Sequence, residues 1–459
     1  MTQTDRTTDD WRHADSSHHL HPFTDYKRLA AEGGSRIIQR AEDIYLWDTD
    51  GRRMLDAMAG LWCVNVGYGR KELAEAAHRQ MLELPYYNTF FKTATRPAIA
   101  LAEKLVALTP DGLNRAFFGT SGSDANDTVV RMVRHYWNLK GKHRKKVFIS
   151  RKYAYHGSTL TGVSLSGMAP MHGQADLPLP GFVHVMPPYW YDFGGDLEPE
   201  AFGRLAARAV EDRILELGPD SVAAFVGEPI QGAGGVIVPP ASYWPEVQRI
   251  CRHYDVLLAV DEVICGFGRT GHWFGADLYG LKPDLMAMAK GITSGYVPLS
   301  AVMVGDRVAD TLIDEGGEFF HGFTYSGHPV AAAVALANIA ILEGEDLIGR
   351  VRDDTGPYLQ RCLTEAFADH PLVGEVRGVG FLAAFELVAD SATRKRFPKY
   401  GEVGTLCRDH CFRNDLIMRA VRDAMVLSPP LTTTRRQIDE LVDLARKAVD
   451  ATARDLGIL

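Results

Sequence analysis

The chain has 459 residues, of which 46% are hydrophobic and 24% charged, with a formal net charge of -8; this is typical of a globular protein with two or three domains. It has no apolar run of about 18 residues, the length of a membrane helix, and its one basic run, residues 141–146, is expected to be a solvated turn rather than a nucleic-acid footprint. The polar N-terminus lacks an apolar signal segment and the six cysteines form no disulfide framework, so we expect a cytoplasmic protein without membrane or nucleic-acid partners.

The first segment, residues 1–35, has little periodicity and carries three histidines in the run S-S-H-H-L-H-P-F-T-D. Histidines can hold a metal, but no acid or cysteine stands at ligand spacing beside these, so we expect a capped turn leading into an ordered arm, and no metal site. Residues 36–58 alternate and contain Asp50-Gly51, which predicts a small antiparallel meander with a hairpin turn at that pair.

Strand and helix patterns alternate from about residue 70 onward. Such alternation is typical of an α/β fold, in which helices cover both faces of a mostly parallel sheet. The predicted strands are residues 115–119, 146–150, 182–186, 222–226 and 256–260, and residues 124–138 form the helix that follows the first of them.

The organisation changes again beyond about residue 335. We expect residues 1–69, the arm and meander, to join residues 335–459 in one smaller α+β domain beside a large domain of residues 70–334. The predicted C-terminal helices are residues 333–344, 346–369, 401–414 and 435–454, and short strands lie near residues 380–387 and 416–419.

Two ionisable residues stand at the ends of apolar runs in the large domain. Asp261 follows V-L-L-A-V, a short buried strand, and Lys290 follows the apolar run 284–289 and precedes a glycine. Ligands of open α/β sheets bind at the carboxyl ends of strands. Because pyridoxal phosphate (PLP) needs a lysine for its Schiff base and an acid against its pyridinium nitrogen, the pair predicts PLP as the cofactor. Asp261 by itself could be a helix cap or a Mg²⁺ ligand, although the chain has no G-x-x-x-x-G-K-[ST] loop to support an NTPase.

Three further motifs stand at strand ends. Ser121, Gly122 and Ser123 lie in a small-residue turn between a strand and a helix, where backbone N–H groups and the helix dipole favour an anion such as phosphate, although the same residues would cap any helix. Tyr155 offers a ring on which a planar cofactor could stack, unless its hydroxyl simply faces water. Glu228, in G-E-P-I-Q-G, offers another acid at the same edge.

The motifs S-G-S-D-A-N, Y-H-G-S-T, G-E-P-I-Q-G, D-E-V-I-C-G-F-G-R-T-G, A-K-G and F-T-Y-S-G-H-P together resemble the class III aminotransferases of PLP fold type I over nearly the whole chain. The flanking runs, such as A-M-A-G-L-W-C-V-N-V-G-Y-G and Y-N-T-F-F-K-T, are most similar to bacterial omega-amine:pyruvate transaminases. One departure is Asp124, where the family usually has Glu; an aspartate still suits the first turn of a helix.

The resemblance implies a role for each matching residue. Lys290 would form the Schiff base and carry the proton, and Asp261 would keep the ring nitrogen protonated. The other cofactor-binding residues would be Val263 and Tyr155 on the two ring faces, Ser121, Gly122 and Ser123 at the phosphate, His156 and Glu228 at the same edge, and Thr324 at the phosphate of the partner subunit's cofactor.

The resemblance also implies a substrate side. Arg419 matches the family's mobile arginine, whose guanidinium suits the carboxylate of a keto acid, and Glu228 is its candidate partner when no carboxylate is bound. Ordinary packing is the alternative for each aromatic residue. The expected substrate residues are Phe23, Trp62, Phe90, Phe91, Tyr155 and Arg419.

The resulting hypothesis is a ping-pong transaminase that moves an amino group from an amine or omega-amino acid to pyruvate. It would act as a homodimer with shared active sites, and pairing of two dimers into a tetramer stays open. The alternatives are another class III enzyme, such as an aminomutase or a decarboxylating transaminase, and a non-catalytic regulator of the same fold. A regulator would be expected to lose the lysine or gain a basic DNA-binding domain, and this chain keeps Lys290 and has no basic appendage.

Overall fold

The computed structural model describes residues 6–459, and its strands form three sheets. In chain order the strands are β1 (Ile38–Glu42), β2 (Tyr45–Asp48), β3 (Arg53–Asp56), β4 (Leu113–Gly119), β5 (Val147–Arg151), β6 (Phe182–Val185), β7 (Val222–Gly227), β8 (Leu257–Asp261), β9 (Leu285–Met288), β10 (Ser300–Gly305), β11 (Val373–Val379), β12 (Leu382–Leu387), β13 (Leu416–Ile417), β14 (Arg419–Val421) and β15 (Ala424–Leu427).

Helices separate most of these strands. They are α1 (Thr8–His18), α2 (Tyr26–Ala31), α3 (Ala59–Trp62), α4 (Lys71–Glu83), α5 (Arg96–Leu108), α6 (Gly122–Leu139), α7 (Leu160–Leu165), α8 (Ala169–Gly173), α9 (Trp190–Phe193), α10 (Pro199–Leu217), α11 (Tyr243–His253), α12 (Gly275–Tyr279), α13 (Asp306–Glu315), α14 (Pro329–Gly344), α15 (Leu347–Arg350), α16 (Gly356–Phe367), α17 (Glu402–Arg413) and α18 (Arg435–Asp455).

The large sheet has seven strands in the order β4-β10-β9-β8-β7-β5-β6. Strands β5 to β9 run parallel to one another, and β10 is antiparallel to both of its neighbours, β4 and β9. Every residue of β7 and β8 is buried, as expected of parallel strands that are covered on both faces. Helix α6 packs on one face, and α10 and α11 pack on the other. The prediction of an α/β fold with a mostly parallel sheet is confirmed.

Two four-stranded sheets lie outside this large sheet. One has the order β1-β2-β3-β13, in which β13 runs parallel to β3, so the N-terminal meander and the C-terminal part share a sheet. The turn between β2 and β3 contains Gly51 with a φ of 80°, at the predicted hairpin pair. The other sheet is antiparallel, in the order β11-β12-β15-β14. The division into domains at residues 69/70 and 334/335 stays a prediction.

Three strands, β10, β11 and β15, were absent from the sequence prediction. Strand β10 is a short apolar run, and periodicity cannot distinguish such a run from a buried piece of helix. Strand β11 carries Glu375 and Arg377, whose charges obscure the strand pattern although the guanidinium of Arg377 is ion-paired with Glu375 and with the buried Glu386. The predicted helix 346–369 is divided into α15 and α16 by a π-helical segment, Val351–Thr355.

The basic run 141–146 is not wholly a solvated turn. Lys145 is buried, and its Nζ donates to the carbonyl oxygens of Val222 at 3.0 Å and Asp255 at 2.7 Å. Burial lowers the pKa of this amine to about 8. Lys145 therefore joins the loop before β8 to the start of β7, and the prediction of a solvated turn is wrong for this residue.

Candidate active site

A cavity of about 810 Å³ opens at the carboxyl ends of β7, β8 and β9. Ligands of open α/β sheets bind at this edge, where the parallel strands end. Among its lining residues are predicted site residues from many parts of the chain: Phe23, Trp62, Ser121, Gly122, Ser123, Tyr155, His156, Glu228, Asp261, Val263, Lys290 and Arg419.

Asp261, the last residue of β8, is held by three hydrogen bonds. Its Oδ2 accepts from Asn126 Nδ2 at 2.8 Å and contacts His156 Nδ1 at 2.7 Å, and its Oδ1 accepts from the backbone N–H of Val263 at 3.0 Å. Burial alone would raise the pKa of this carboxyl. The interaction with His156 and the hydrogen bonds from Asn126 and Val263 outweigh burial and hold the pKa below its ordinary value. Asp261 is therefore kept as a carboxylate at the cavity floor.

Lys290 follows β9 and faces the same floor. Its backbone has a φ of 50°, in the left-handed region that non-glycine residues seldom occupy. Its Nζ lies 6.0 Å from the ring centroid of Trp62 and makes no hydrogen bond within residues 6–459. Burial lowers the pKa of this amine, against the opposing charge of Asp261. A lowered pKa favours the neutral amine, the form that reacts with a carbonyl carbon.

The turn at the N-terminus of α6 presents backbone N–H groups that suit an anion. Ser121 caps the helix by accepting from the N–H of Asp124 at 3.2 Å, and the Asp124 carboxylate in return accepts from the N–H of Ser121 at 3.0 Å. The backbone N–H groups of Gly122 and Ser123 have no partner in the described part of the chain. A Cβ at Gly122 would lie 3.0 Å from both methyl carbons of Val263, so only glycine lets the turn approach that residue.

Tyr155 and Glu228 lie together on another side of the cavity. The Oε1 of Glu228 accepts from the backbone N–H of Tyr155 at 3.2 Å, and its Oε2 accepts from the N–H of Gly232 at 2.9 Å. Burial raises the pKa of the Glu228 carboxyl. Tyr155 also makes an edge contact with Phe23, with ring centroids 6.4 Å apart.

Arg419 lies over the ring of Trp62, with its guanidinium carbon 5.2 Å from the ring centroid. Burial lowers the pKa of this guanidinium. Among residues 6–459 no carboxylate lies within ion-pair distance of Arg419, so the candidate partner Glu228 is not paired with it here. A partly buried guanidinium without a carboxylate is suited to a substrate carboxylate.

Three predicted residues do not line the cavity of their own chain. Phe90 is 37% exposed, Phe91 is 89% exposed, and Thr324 is exposed as well. The segments that carry Phe90 and Thr324 pack together, because Tyr86 donates its hydroxyl hydrogen to the carbonyl oxygen of Thr324 at 2.6 Å and a Cβ at Gly322 would lie 2.9 Å from the Phe90 ring. The cavity-lining role predicted for these three residues is therefore not seen within a single chain.

Three residues that support the site carry no role in the sequence prediction. Asn126 and Ser150 hold the Asp261–His156 pair, since Ser150 Oγ lies 3.2 Å from His156 Nε2. Ser300 donates to Oδ1 of Asp124 at 2.8 Å and so fixes the turn at α6. Asn126 stands within the S-G-S-D-A-N motif, and its position on the first turn of α6 was the one available signal. His156, predicted to bind the cofactor, makes its contact with Asp261.

The expectation that no acid stands beside the N-terminal histidines is wrong. Asp15, on α1, has its Oδ1 3.1 Å from His19 Nδ1 and its Oδ2 2.8 Å from His21 Nε2. The helix, which begins at a capping box on Thr7, brings the acid to them. These contacts join α1 to the segment just before Phe23, and Phe23 lines the cavity.

Comparison with known proteins agrees with this geometry. The sequence profile of the family described as aminotransferase class-III matches residues 29–449. The chain belongs to the class III aminotransferases. This aminotransferase is 59% identical over 450 residues to the putrescine–pyruvate aminotransferase of Pseudomonas aeruginosa, with 98% of each chain covered. It is 45% identical over 455 residues to the diaminobutyrate–2-oxoglutarate transaminase of Halomonas elongata, with 96% of each covered.

Solved structures of similar fold are omega-transaminases. The enzyme of Pseudomonas jessenii in complex with PMP superposes on this aminotransferase with a TM-score of 0.95 at 43% identity, covering 97% of this chain and 99% of that one. The (S)-enantioselective omega-transaminase of Thermomicrobium roseum gives a TM-score of 0.94 at 42% identity, with 97% and 99% covered. The resemblance inferred from the sequence motifs is confirmed.

Class III aminotransferases use PLP, and the residues of this cavity fit that group. The two free N–H groups at α6 suit a phosphate, the unpartnered amine of Lys290 suits an aldehyde, and the ionised Asp261 suits a pyridinium nitrogen. Within residues 6–459, none of the helices combines the length and the apolar character that crossing a membrane requires.

Proposed function

We propose that this aminotransferase holds PLP in the cavity and transfers the amino group of an amine or omega-amino acid to pyruvate, giving alanine by a ping-pong mechanism. The observation that carries the proposal is the placing of the unpartnered Lys290 amine and the ionised Asp261 carboxylate on one cavity floor. When bound, PLP supplies an electron sink for the substrate carbon that loses its proton. The relative from Pseudomonas aeruginosa, named for putrescine and pyruvate, supports this donor and acceptor class.

The roles of the residues follow from their surroundings. Asp261 Oδ1 accepts one hydrogen bond, from Val263, which leaves it able to accept a second from a protonated ring nitrogen. Val263 and Tyr155 would lie against the ring, and the N–H groups of Gly122 and Ser123 would hold the phosphate. His156 and Asn126 would act through Asp261 by keeping it charged and oriented.

Lys290 would serve as the base of the reaction. Its Nζ would take the proton from the substrate carbon that bears the amino group and deliver it to C4′ of the cofactor, and it would move a proton from C4′ to the substrate carbon when the keto acid is aminated. Arg419 would bind the carboxylate of pyruvate or of an amino-acid donor, because no carboxylate of residues 6–459 is paired with its guanidinium. Phe23 and Trp62 would pack on the apolar part of the donor.

A donor screen tests the reaction. PLP-loaded protein is incubated with pyruvate and a series of amines, diamines and omega-amino acids, and alanine is measured; 2-oxoglutarate, with glutamate as the product, is the control acceptor. We expect alanine in amounts equal to the donor consumed. An isomerised donor without alanine would instead support an aminomutase, and carbon dioxide release equal to the donor consumed would support a decarboxylating transaminase. Absence of alanine with every donor would refute the proposal.

We further propose a homodimer in which Thr324 reaches the partner's cofactor phosphate and Phe90 and Phe91 reach the partner's cavity. The segments that carry these residues expose large apolar side chains: Phe91 is 89% exposed, and Phe320, four residues before Thr324, is 78% exposed. Exposed patches of this kind mark association sites, and a twofold dimer is the commonest closed assembly. Pairing of two dimers into a tetramer is a further possibility within the same proposal. The six free cysteines fit a reducing compartment such as the cytoplasm.

This arrangement predicts that PLP and dimerisation are linked. A ligand that binds only the dimer shifts association toward the dimer by mass action, so removing PLP should weaken the dimer in sedimentation over a dilution series. Thr324→Ala should both loosen PLP and weaken the dimer. Thr364→Ala, at an exposed threonine of α16, is the matched control and should change neither. An active monomer that retains PLP would contradict the shared site.

A further inference from the structure

One wall of the cavity is formed by a strained turn of residues 232–236, which follows Glu228. Ala233 lines the cavity, and the N–H of Gly232 donates to Glu228 at 2.9 Å. Gly235 has a φ of 109°, and Val236 has a φ of 50°. A β-branched residue at positive φ is a genuine outlier, so the surrounding structure has to hold this turn in place.

Two arginines hold the turn by its carbonyl groups. Arg422 Nη2 donates to the carbonyl oxygen of Gly234 at 2.8 Å. Arg377 donates through Nη2 to Gly235 at 2.5 Å and through Nε to Val236 at 2.9 Å. Three consecutive carbonyl oxygens therefore accept hydrogen bonds from charged donors, which are stronger than neutral ones.

Arg377 is itself rigidly placed. It lies on β11 with only 8% of its side chain exposed, and its Nη1 donates to Glu375 at 2.6 Å and to Glu386 at 2.9 Å. Glu386 is fully buried and also accepts hydrogen bonds from the hydroxyl of Tyr189 and the guanidinium of Arg396. The guanidinium that holds the turn is thus anchored in a buried network of charges.

Arg422 connects the turn to the strand that carries Arg419. It follows β14, whose residues Arg419 and Ala420 line the cavity. Its guanidinium carbon lies 4.1 Å from the ring centroid of Tyr153. The bond from Arg422 to Gly234 therefore joins two walls of the same cavity, one with Ala233 and one with Arg419.

We propose that Arg377 and Arg422 are positioning residues that set the distance between the Ala233 wall and the Arg419 wall, and thereby decide which amine donors fit. Neither residue lines the cavity, and both act through the 232–236 turn. Without these donors the strained turn relaxes toward ordinary backbone angles, and Ala233 moves with it. Donor size, rather than catalytic rate alone, is then the property that changes. The proposal rests on the proposed function for its kinetic test.

The variants separate the turn from the charge network. Arg422→Met keeps an unbranched side chain but removes the guanidinium that donates to Gly234 and lies over Tyr153. Arg377→Lys retains the charge but cannot reach two carbonyl oxygens together. Arg396→Lys is the matched control, because Arg396 contacts Glu386 and Asp192 without touching the turn. For each protein kcat/KM is measured with pyruvate and two donors, isopropylamine and 1-phenylethylamine.

We expect the ratio of kcat/KM for the bulky donor to that for the small donor to change by about fivefold or more in Arg422→Met and Arg377→Lys, and to stay at the wild-type value in Arg396→Lys. Hydrogen exchange of residues 232–237, a readout that needs no substrate, should rise in the first two variants and not in the control. Should the wild type not aminate pyruvate, the exchange measurement still decides whether the two arginines hold the turn, so a failure of the proposed function can be distinguished from a failure of this proposal. An unchanged ratio with unchanged exchange, or an equal change in the control, would overturn it.

Discussion

Replacing Lys290 with alanine is expected to lower turnover with an amine donor and pyruvate by about 10³-fold or more, because the change removes both the nucleophilic amine and the base. Among residues 6–459, Lys290 is the one lysine that lines the cavity, so no neighbouring amine could replace it. Turnover is measured as alanine formed, and attachment of PLP is measured by intact mass after borohydride reduction, which should show no covalent adduct in the variant.

The matched control is Lys282→Ala, because Lys282 is exposed and stands just before the same strand, β9. It should keep wild-type turnover and the covalent adduct. A Lys290→Ala protein that retains even a tenth of wild-type turnover would show that another residue performs the chemistry.

Asp261→Asn is expected to leave the fold intact, loosen PLP and lower turnover by about 100-fold or more, since an amide has no charge to stabilise a pyridinium. The amide would also present an N–H₂ group toward one of the donors, Asn126 or Val263, that now bond the carboxylate. Turnover and the dissociation constant for PLP are the two measurements.

Glu262→Gln provides the control at the adjacent residue. The Glu262 carboxyl accepts from the backbone N–H groups of Gly275 and Ala276 at 2.9 and 2.6 Å, and it does not line the cavity. Burial raises the pKa of this carboxyl to about 8. Glu262→Gln also turns an N–H₂ group toward a backbone donor, as Asp261→Asn does, so it reproduces that structural cost outside the cavity. We expect this variant to turn over at near the wild-type rate. If Asp261→Asn does so too, Asp261 is not the partner of the ring nitrogen.

Much of the floor of the site could be predicted because strand ends are readable in the sequence. Asp261 and Lys290 each follow an apolar run, and the carboxyl ends of parallel strands meet at one edge, so their proximity follows from the fold class alone. The turn at Ser121–Ser123 could be predicted for the same reason, as a strand followed by a cap and a helix.

The surroundings of these residues could not be predicted, because they depend on pairings that local pattern does not contain. Asn126 donates to Asp261 from α6, a helix that lies far from β8 in the sequence. Arg377 donates to Val236 from the C-terminal part of the chain. Phe90 and Phe91 show the converse. Their aromatic character suggested a place by the cavity, but both side chains lie outside it, and residue type does not distinguish a cavity wall from an exposed surface.

The pairing of β4 has a consequence for how the protein is made. In the large sheet β4 bonds to β10 alone, with Gly119 opposite Ser300, so it cannot join the sheet until the ribosome has produced residues far downstream. Until then the turn after β4 lacks the hydroxyl of Ser300 that fixes Asp124. Contacts so distant along the chain form slowly and leave an apolar strand edge open in the meantime. We therefore expect the turn at residues 121–123, although encoded early, to be among the last parts of the site completed. The nascent chain should depend on protection from aggregation until β10 has been synthesised.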